Sequence, residues 1–331
     1  MTSWRPPPSS EHLENTSNWP LPRNQHIAPM RSTLKWVAEQ VLGTAAWLSR
    51  PASVRQGRLI LAYHNVRPPN EAPVGERALH IPWSRFLEHL DLITSHADIV
   101  PLSDIFGPPP KRSRFRVALT FDDAYSGAVE LALPEVARRG MSATMFVAPG
   151  LLDGRSFWWD QMAEPYGGSL PGEARHHALT TLGGQQEKVE SWAAEAGAKW
   201  ATSMPNWATG ASTAALLRAA ELPGISLGAH SWSHPNLIAL TADELDHELT
   251  APRQWLQEHK TPGGEWLAYP YGLADSSTEA AASRGGYHGA LMVSGGFLSE
   301  HIPQYQVPRL NVPAGLSQAG LKLRLAGRLT A

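Results

Sequence analysis

Short apolar runs alternate with helical patterns along most of the chain, and this alternation restricts the fold more than any other feature. Several runs are bounded by Gly or Pro, which is typical of buried strands. Strands are predicted at 58–64, 116–121, 142–148, 225–229, 265–269, 287–293 and 306–312, and helices at 82–96, 126–139 and 242–260. This order favours parallel strands with helices on the outside.

The strands are predicted to form a closed or nearly closed barrel rather than an open sheet. An open dinucleotide-binding sheet carries a Gly-x-Gly-x-x-Gly turn after its first strand, and none follows residues 58–64. The α/β domain is expected to span residues 58–312, with an irregular insertion at about 150–223, where the alternation is lost. Pro252 should kink or split the helix at 242–260.

The two ends of the chain are predicted to lie outside this domain. Residues 1–57 form an N-terminal extension, in which the polar residues 1–29 are expected to be disordered and residues 32–49 to be helical. That helix is too polar and too short to span a bilayer, so its apolar face either packs on the domain or makes a peripheral membrane contact. Residues 313–331 are expected to be a tail or helix. No export signal is visible, which predicts a cytoplasmic protein.

Charge and cysteine content exclude several classes of function. The chain has 28 Lys and Arg against 30 Asp and Glu, so it has no broad positive surface for nucleic acid. It has no cysteine, which excludes disulfides, thiolate metal sites and Cys nucleophiles. Any metal site must therefore be built from His and carboxylate.

Ionisable or rigid groups follow four of the predicted strands, where a parallel barrel places its chemistry. These strand ends are Tyr63-His64, Asp122-Asp123, His230 and Tyr269-Pro270-Tyr271. Because the carboxyl ends of parallel strands share one edge of the sheet, the side chains are expected to lie close together.

The paired carboxylates and the paired imidazoles favour a metal site. Neighbouring carboxylates repel one another unless a cation is present, although one of Asp122 and Asp123 could instead cap the helix that follows. His230 and His234 are four residues apart, and Pro235 favours a turn over a helix there. Two imidazoles and one carboxylate suit Zn²⁺ with positions left open. The second aspartate is then free to act as a base.

These residues resemble the motifs of the polysaccharide deacetylase family (NodB homology, carbohydrate esterase family four). Residues 120–125 (TFDDAY) resemble its first motif, and residues 230–234 (HSWSH) resemble its second. The resemblance covers about residues 58–312 and implies a distorted (β/α) barrel of about seven strands. It makes Asp122 the catalytic base and Asp123, His230 and His234 the ligands of a divalent metal.

The chain departs from the family pattern at two places. Where the third motif commonly has an Arg that orients the base, this chain has Ala268, although Tyr271 can still offer its backbone N–H to an oxyanion. The late Leu-x-His motif, which supplies the acid, is missing. However, residues 61–65 (LAYHN) resemble the N-terminal segment of a circularly permuted branch, the exopolysaccharide deacetylases. That likeness makes His64 the general acid, and the alternative is a histidine bonded to a backbone carbonyl.

Several aromatic residues are candidates for substrate binding. Trp158 and Trp159 form either a sugar-stacking wall or a hydrophobic plug, and Tyr125 and Tyr269 adjoin the motifs. Arg309, in a segment that resembles a recurrent family ending, either binds a nearby carboxylate or closes the barrel. Closing the barrel is the expected role.

The function predicted from the resemblance is removal of N-acetyl groups from an amino sugar or its oligomers. Two alternatives stay open: an O-acetyl esterase on the same scaffold, and a carbohydrate-binding protein that has lost activity. The absence of an Arg at Ala268 favours the last of these.

Overall fold

The fold is a sheet of parallel strands curved into a distorted (β/α) barrel, as the alternating pattern predicts. The computed structural model describes residues 57–108 and 115–327. The predicted extension at 1–29 and helix at 32–49 lie outside the described residues. Strands in chain order are β1 Arg58–Tyr63, β2 Asn65–Arg67, β3 His80–Pro82, β4 Ala97–Ile99, β5 Phe115–Phe121, β6 Ala143–Val147, β7 Ile225–Ala229, β8 Gly263–Ala268, β9 Gly289–Leu291 and β10 Leu310–Asn311.

The strand order is β10-β1-β5-β6-β7-β8-β9, and every pairing in it is parallel. β4 also pairs with β5, while β2 and β3 form a separate two-stranded sheet. A parallel bridge between Leu291 and Val307 leads from β9 towards β10, so the barrel is nearly closed by a short connecting segment. Every residue of β5 is buried, as expected of a parallel strand covered on both faces.

Helices pack around the sheet and form the insertion. They are α1 Trp83–His96, α2 Leu133–Arg138, α3 Trp158–Ala163, α4 Gly172–Thr180, α5 Gln186–Glu195, α6 Thr213–Ala220, α7 Ala242–Glu258, α8 Ser276–Arg284 and α9 Gln318–Leu325. Helices α3 to α6 belong to the insertion, and α9 lies in the predicted C-terminal tail or helix. Among the described residues, no helix combines the length and apolar character needed to cross a bilayer.

Two helices differ from their predicted form. Pro252 does not split α7, which is one continuous helix of 17 residues. The helix predicted at 126–139 contains a π-helical segment, Ala128–Ala132, before α2. Such segments are frequent next to functional sites, and this one follows the strand that ends at the paired aspartates.

Candidate active site

The carboxyl ends of four strands and one side of the insertion enclose a cavity of about 480 Å³. We call its first side the strand-end wall, which contains His64, Asp122, Asp123, His230, His234, Tyr269 and Tyr271. We call its second side the insertion wall, which contains Trp158, Trp159, Ser169, Leu170, Arg175 and Leu179. The strand-end residues converge as the barrel rule predicts, because β1, β5, β7 and β8 end at the same edge of the sheet.

Asp123, His230 and His234 present three donor atoms in a nearly equilateral triangle. The two Nε2 atoms are 3.2 Å apart, and Oδ1 of Asp123 lies 3.2 Å from Nε2 of His234 and 3.5 Å from Nε2 of His230. All three side chains are buried. In a tetrahedral zinc site with bonds of about 2.0–2.1 Å, neighbouring donors are roughly 3.3–3.4 Å apart.

The protonation pattern of the triangle fits a cation. The Nδ1 atom of His230 lies 2.7 Å from the carbonyl oxygen of Ala268. Donation of Nδ1–H to this oxygen leaves the Nε2 lone pair facing Asp123 and His234. Oδ1 of Asp123 is buried with no hydrogen-bond partner among the described residues, and such an atom is costly unless a cation satisfies it. These three residues could therefore hold a divalent metal.

Electrostatics keep Asp123 ionised. Burial alone would raise the pKa of this carboxyl, but the adjacent imidazoles of His230 and His234 hold it well below its ordinary value. Burial lowers the pKa of His234, against the attraction of Asp123. In His230 burial also lowers the pKa, but the charges of Asp122 and Asp123 outweigh it and raise the pKa above its ordinary value. Asp123 and His234 are therefore in the ionised and neutral states that metal ligation requires, whereas His230 would release its proton to an incoming ion.

The backbone around the triangle is held in a sparsely populated conformation. Eight non-glycine residues of the described chain have positive φ, and five of them are Asp123, Ala124, Ser231, His234 and Tyr271. Each such conformation costs on the order of 1–3 kcal/mol and persists only where its surroundings enforce it. The strain is thus concentrated where two chain turns bring the donor atoms together.

Arg309 binds Asp122, so the expectation that this arginine serves only to close the barrel is wrong. Its Nη1 and Nη2 atoms donate to Oδ1 and Oδ2 of Asp122 at 2.7 and 2.8 Å, and its Nε donates to the carbonyl of Met292. Arg309 is fully buried, and its guanidinium carbon lies 5.4 Å from the Phe146 ring centroid. A bidentate pair of this kind fixes both the position and the orientation of a carboxylate.

Arg309 also sets the charge of Asp122. Burial would raise the pKa of Asp122, but the Arg309 charge, followed by that of His230 and the Arg309 hydrogen bonds, lowers it below its ordinary value. Arg309, which directly precedes β10, therefore takes the place of the arginine expected at the position of Ala268 in β8. This removes the observation that favoured an inactive binding protein.

His64 stands at the end of β1 and lines the same cavity. It is half-buried, and its ring makes no hydrogen bond to any group in the described part of the chain. The alternative of a histidine tied to a backbone carbonyl is thus not what the structure contains. Burial lowers the pKa of His64, while Asp123 and Asp122 oppose that shift, which places both carboxylates within electrostatic reach of the ring.

Tyr271 is held by its hydroxyl rather than by its backbone. The hydroxyl accepts a bond from Nε1 of Trp158 at 3.1 Å and donates to the carbonyl of His234 at 3.2 Å. The residue has φ 58° and ψ 2°, and its N–H donates to no carbonyl that the described residues provide. Tyr271 therefore joins the insertion wall to the His230–His234 turn while its amide stays available.

Of the four aromatic residues predicted to bind substrate, three line the cavity and one does not. Trp158 and Trp159 line the cavity although both are almost fully buried, and the Trp159 ring lies 4.8 Å from that of His234. Tyr269 belongs to the cavity wall with its hydroxyl buried and unpaired. Tyr125 does not line the cavity: it is fully buried and its hydroxyl accepts from Nε1 of Trp159 at 2.8 Å.

A buried polar network that the sequence did not reveal supports the two tryptophans. Asp160 is fully buried. Its Oδ2 accepts from the Tyr125 hydroxyl at 2.7 Å, and its Oδ1 accepts from the Glu76 amide and lies 3.1 Å from Nε2 of His80. The network ties α3 to the β2–β3 region and fixes Trp159 against His234. An acidic residue inside an aromatic cluster was the one available signal.

Glu248 is the second residue that sequence reasoning missed. This side chain of α7 accepts from the amides of Trp232 and Ser233 at 2.8 and 2.9 Å and from the Ser233 hydroxyl at 2.6 Å. It therefore clamps the turn between His230 and His234. In the sequence it is indistinguishable from the exposed acids of the same helix.

A parallel barrel with a carboxylate–imidazole triangle and an arginine-held aspartate at its carboxyl ends could support metal-assisted hydrolysis. The sequence profile of the family described as polysaccharide deacetylase matches residues 110–290, more than half of the chain. The chain belongs to the polysaccharide deacetylase family. Membership supports a hydrolytic enzyme that acts on acetylated carbohydrate.

Individual relatives agree with this assignment at low identity. The chain is 22% identical over 308 residues to YxkH, a polysaccharide deacetylase homologue of Bacillus subtilis (strain 168), covering 92% of this chain and 88% of that protein. The fold of this chain is similar to that of the deacetylase PplD of Streptococcus pyogenes, with a TM-score of 0.56 and 17% identity, covering 82% of this chain and 99% of that one. It is also similar to the fold of IcaB of Ammonifex degensii, with a TM-score of 0.55 and 15% identity, covering 82% of this chain and 97% of that one.

Proposed function

We propose that this chain is a metal-dependent hydrolase that removes N-acetyl groups from an amino sugar in a saccharide, releasing acetate and a free amine. The observation that carries the proposal is the joint placement in one cavity of the donor triangle, the arginine-held Asp122 and the unpaired ring of His64. Family membership supports the acetylated carbohydrate as substrate class.

Asp123, His230 and His234 would hold the divalent ion, and their donor set suits Zn²⁺. Such an ion, when bound, polarises the acetyl carbonyl and makes water a stronger acid. The strained turns and the Glu248 clamp keep the three donors in place before any ion arrives. This preorganisation lowers the cost of assembling the site.

Asp122 is proposed as the general base. Its lowered pKa keeps it ionised at neutral pH, so it can accept a proton from the attacking water. The bidentate Arg309 prevents its carboxylate from rotating into the donor triangle. The neighbouring aspartates thus have separate roles, because each has its own positively charged or imidazole partners.

Proton delivery to the leaving group is proposed for His64. An amine is a poor leaving group unless its nitrogen is protonated, whereas an alcohol leaves an ester more easily. The free, half-buried imidazole therefore favours amide over ester hydrolysis. The N–H of Tyr271, which has no carbonyl partner in the described chain, is proposed to donate to the oxyanion of the tetrahedral intermediate.

The proposal is tested by measuring acetate released from N-acetylglucosamine oligomers and from an O-acetylated xylan oligomer. We expect release from the N-acetyl substrate that requires added divalent ion and disappears in Asp122→Asn. His64→Ala should slow amide hydrolysis far more than ester hydrolysis. Faster release from the O-acetyl substrate, or equal loss on both after His64→Ala, would contradict the N-deacetylase assignment.

A further inference from the structure

The cavity contains one positively charged side chain that pairs with nothing. Arg175 lies on α4 of the insertion, lines the cavity and is exposed. Within residues 57–108 and 115–327 its guanidinium makes neither a hydrogen bond nor an ion pair. The positions three and four residues away from Arg175 are Pro171, Gly172, Ala178 and Leu179, so no acid at helical spacing neutralises its charge.

The acidic groups of the cavity are already engaged and do not balance Arg175. Asp122 is paired with Arg309, and Asp123 faces the imidazoles. Glu76, the remaining acid in the lining, is 9% exposed and accepts a bond from the Leu170 amide. Arg175 thus contributes an uncompensated positive charge to the space where substrate would lie.

The position of Arg175 relates it to the reacting centre. Arg175 and Tyr271 line the same cavity. The Tyr271 hydroxyl in turn bonds the backbone of His234. A second unpaired guanidinium, that of Arg77, covers Gly168 beside the cavity residue Ser169. Two guanidinium groups that pair with no acid in the described chain therefore lie in or beside this side of the cavity.

We propose that Arg175 forms an anion subsite and that the natural substrate is an anionic saccharide, with a carboxylate or phosphate next to the acetylated sugar. This inference rests on the proposed deacetylase function of the same cavity. A planar guanidinium binds the oxygens of either group through two parallel hydrogen bonds. A cavity of about 480 Å³ is in the size range of small-ligand sites, so it accepts a sugar together with one charged substituent.

Matched neutral and anionic probes test the proposal. One pair is a hyaluronan tetrasaccharide and its carboxyl methyl ester, which differ only in the charge of their uronate groups, and the other is the methyl glycoside and the 1-phosphate of N-acetylglucosamine. For each pair we measure kcat/KM for acetate release in wild type, Arg175→Gln and Arg218→Gln. Arg218 is an exposed arginine of α6 outside the cavity lining and serves as the control.

We expect wild type to favour the anionic member of at least one pair by about tenfold, and Arg175→Gln to lose that preference. The preference should also fall with added salt. The pair that responds identifies carboxylate or phosphate as the group recognised. A wild-type preference for the neutral probes, or a preference kept by Arg175→Gln, would overturn the proposal.

A binding measurement separates this inference from the proposed function. Calorimetry with Asp122→Asn, alone and combined with Arg175→Gln, reports affinity for the same probes without turnover. If no probe releases acetate but the anionic probe still binds more tightly through Arg175, the deacetylase proposal fails and the anion subsite stands. If acetate is released and the two probes bind equally, the anion-subsite proposal fails and the deacetylase proposal stands.

Discussion

The strand-end wall and the insertion wall line the same cavity but are built differently. Strand-end residues are positioned by parallel ladders and by short turns with positive φ, and their two carboxylates face Arg309 and the imidazoles of His230 and His234. The insertion wall is positioned by side-chain hydrogen bonds around Asp160 and carries an unpaired charge at its edge. This difference supports the proposal that the barrel residues carry out the chemistry and that the insertion selects the substrate.

The largest effect is expected for Asp122→Asn, which removes the base from the strand-end wall. Acetate release should fall by about 10²–10⁴-fold, the usual contribution of a general base. Metal stoichiometry should not change, because Asp122 lies outside the donor triangle. Activity within tenfold of wild type would show that another group acts as the base.

Arg309→Met should destabilise the protein and reduce activity. It leaves a buried carboxylate without its partner, which typically costs about 3–5 kcal/mol in the free energy of unfolding. The double variant Asp122→Asn with Arg309→Met removes both charges and should recover much of that loss, as measured by urea unfolding. If the double variant loses as much free energy of unfolding as the two single variants together, Asp122 and Arg309 do not stabilise each other, which would contradict the geometry of the pair.

Glu248→Gln tests the clamp on the two-histidine turn. Gln keeps one accepting oxygen for the two backbone amides but loses the negative charge and the second acceptor, so the charge-assisted bonds weaken and the affinity for Zn²⁺ should fall by about 10–100-fold. Glu244→Gln, in the exposed first turn of the same helix, is the matched control and should leave the affinity unchanged. Competition with a chromophoric chelator measures both. Equal affinities of the two variants for Zn²⁺ would contradict the claim that Glu248 holds the turn between His230 and His234 in place for metal binding.

Tyr125→Phe is expected to give the smallest change, and only through the insertion wall. It deprives Asp160 of a donor and Trp159 of an acceptor, which should cost about 1–3 kcal/mol of stability. KM should rise a few-fold, with little change in kcat. Tyr166→Phe, in the same insertion, is the control. A larger loss of kcat than of substrate affinity would place Tyr125 with the catalytic machinery.

The two walls also differ in how far they could be predicted from sequence. The strand-end residues were predictable because adjacent polar groups after apolar strands must meet at one sheet edge. Arg309 was misjudged because its partner Asp122 is 187 positions away. The two meet only once β10 pairs with β1. That register cannot be read from local pattern.

The insertion wall was largely hidden from sequence reasoning. Its polar network joins Asp160 to residues 80 and 35 positions away in chain distance, and no period or motif specifies such contacts. Glu248 was hidden for a simpler reason: it borders the apolar stripe of Leu245, Leu249 and Leu256 on α7, and helical spacing alone does not separate a buried acid at that border from an exposed one.

The most direct test of the central claim is metal binding by wild type and by Asp123→Ala, His230→Ala and His234→Ala, measured by calorimetric titration with Zn²⁺ after chelator treatment. One ion per wild-type chain, and binding that is lost or greatly weakened in each variant, is the predicted result. Wild type that takes up no ion, or variants that bind it as tightly as wild type, would contradict the assignment of these three side chains to a metal site.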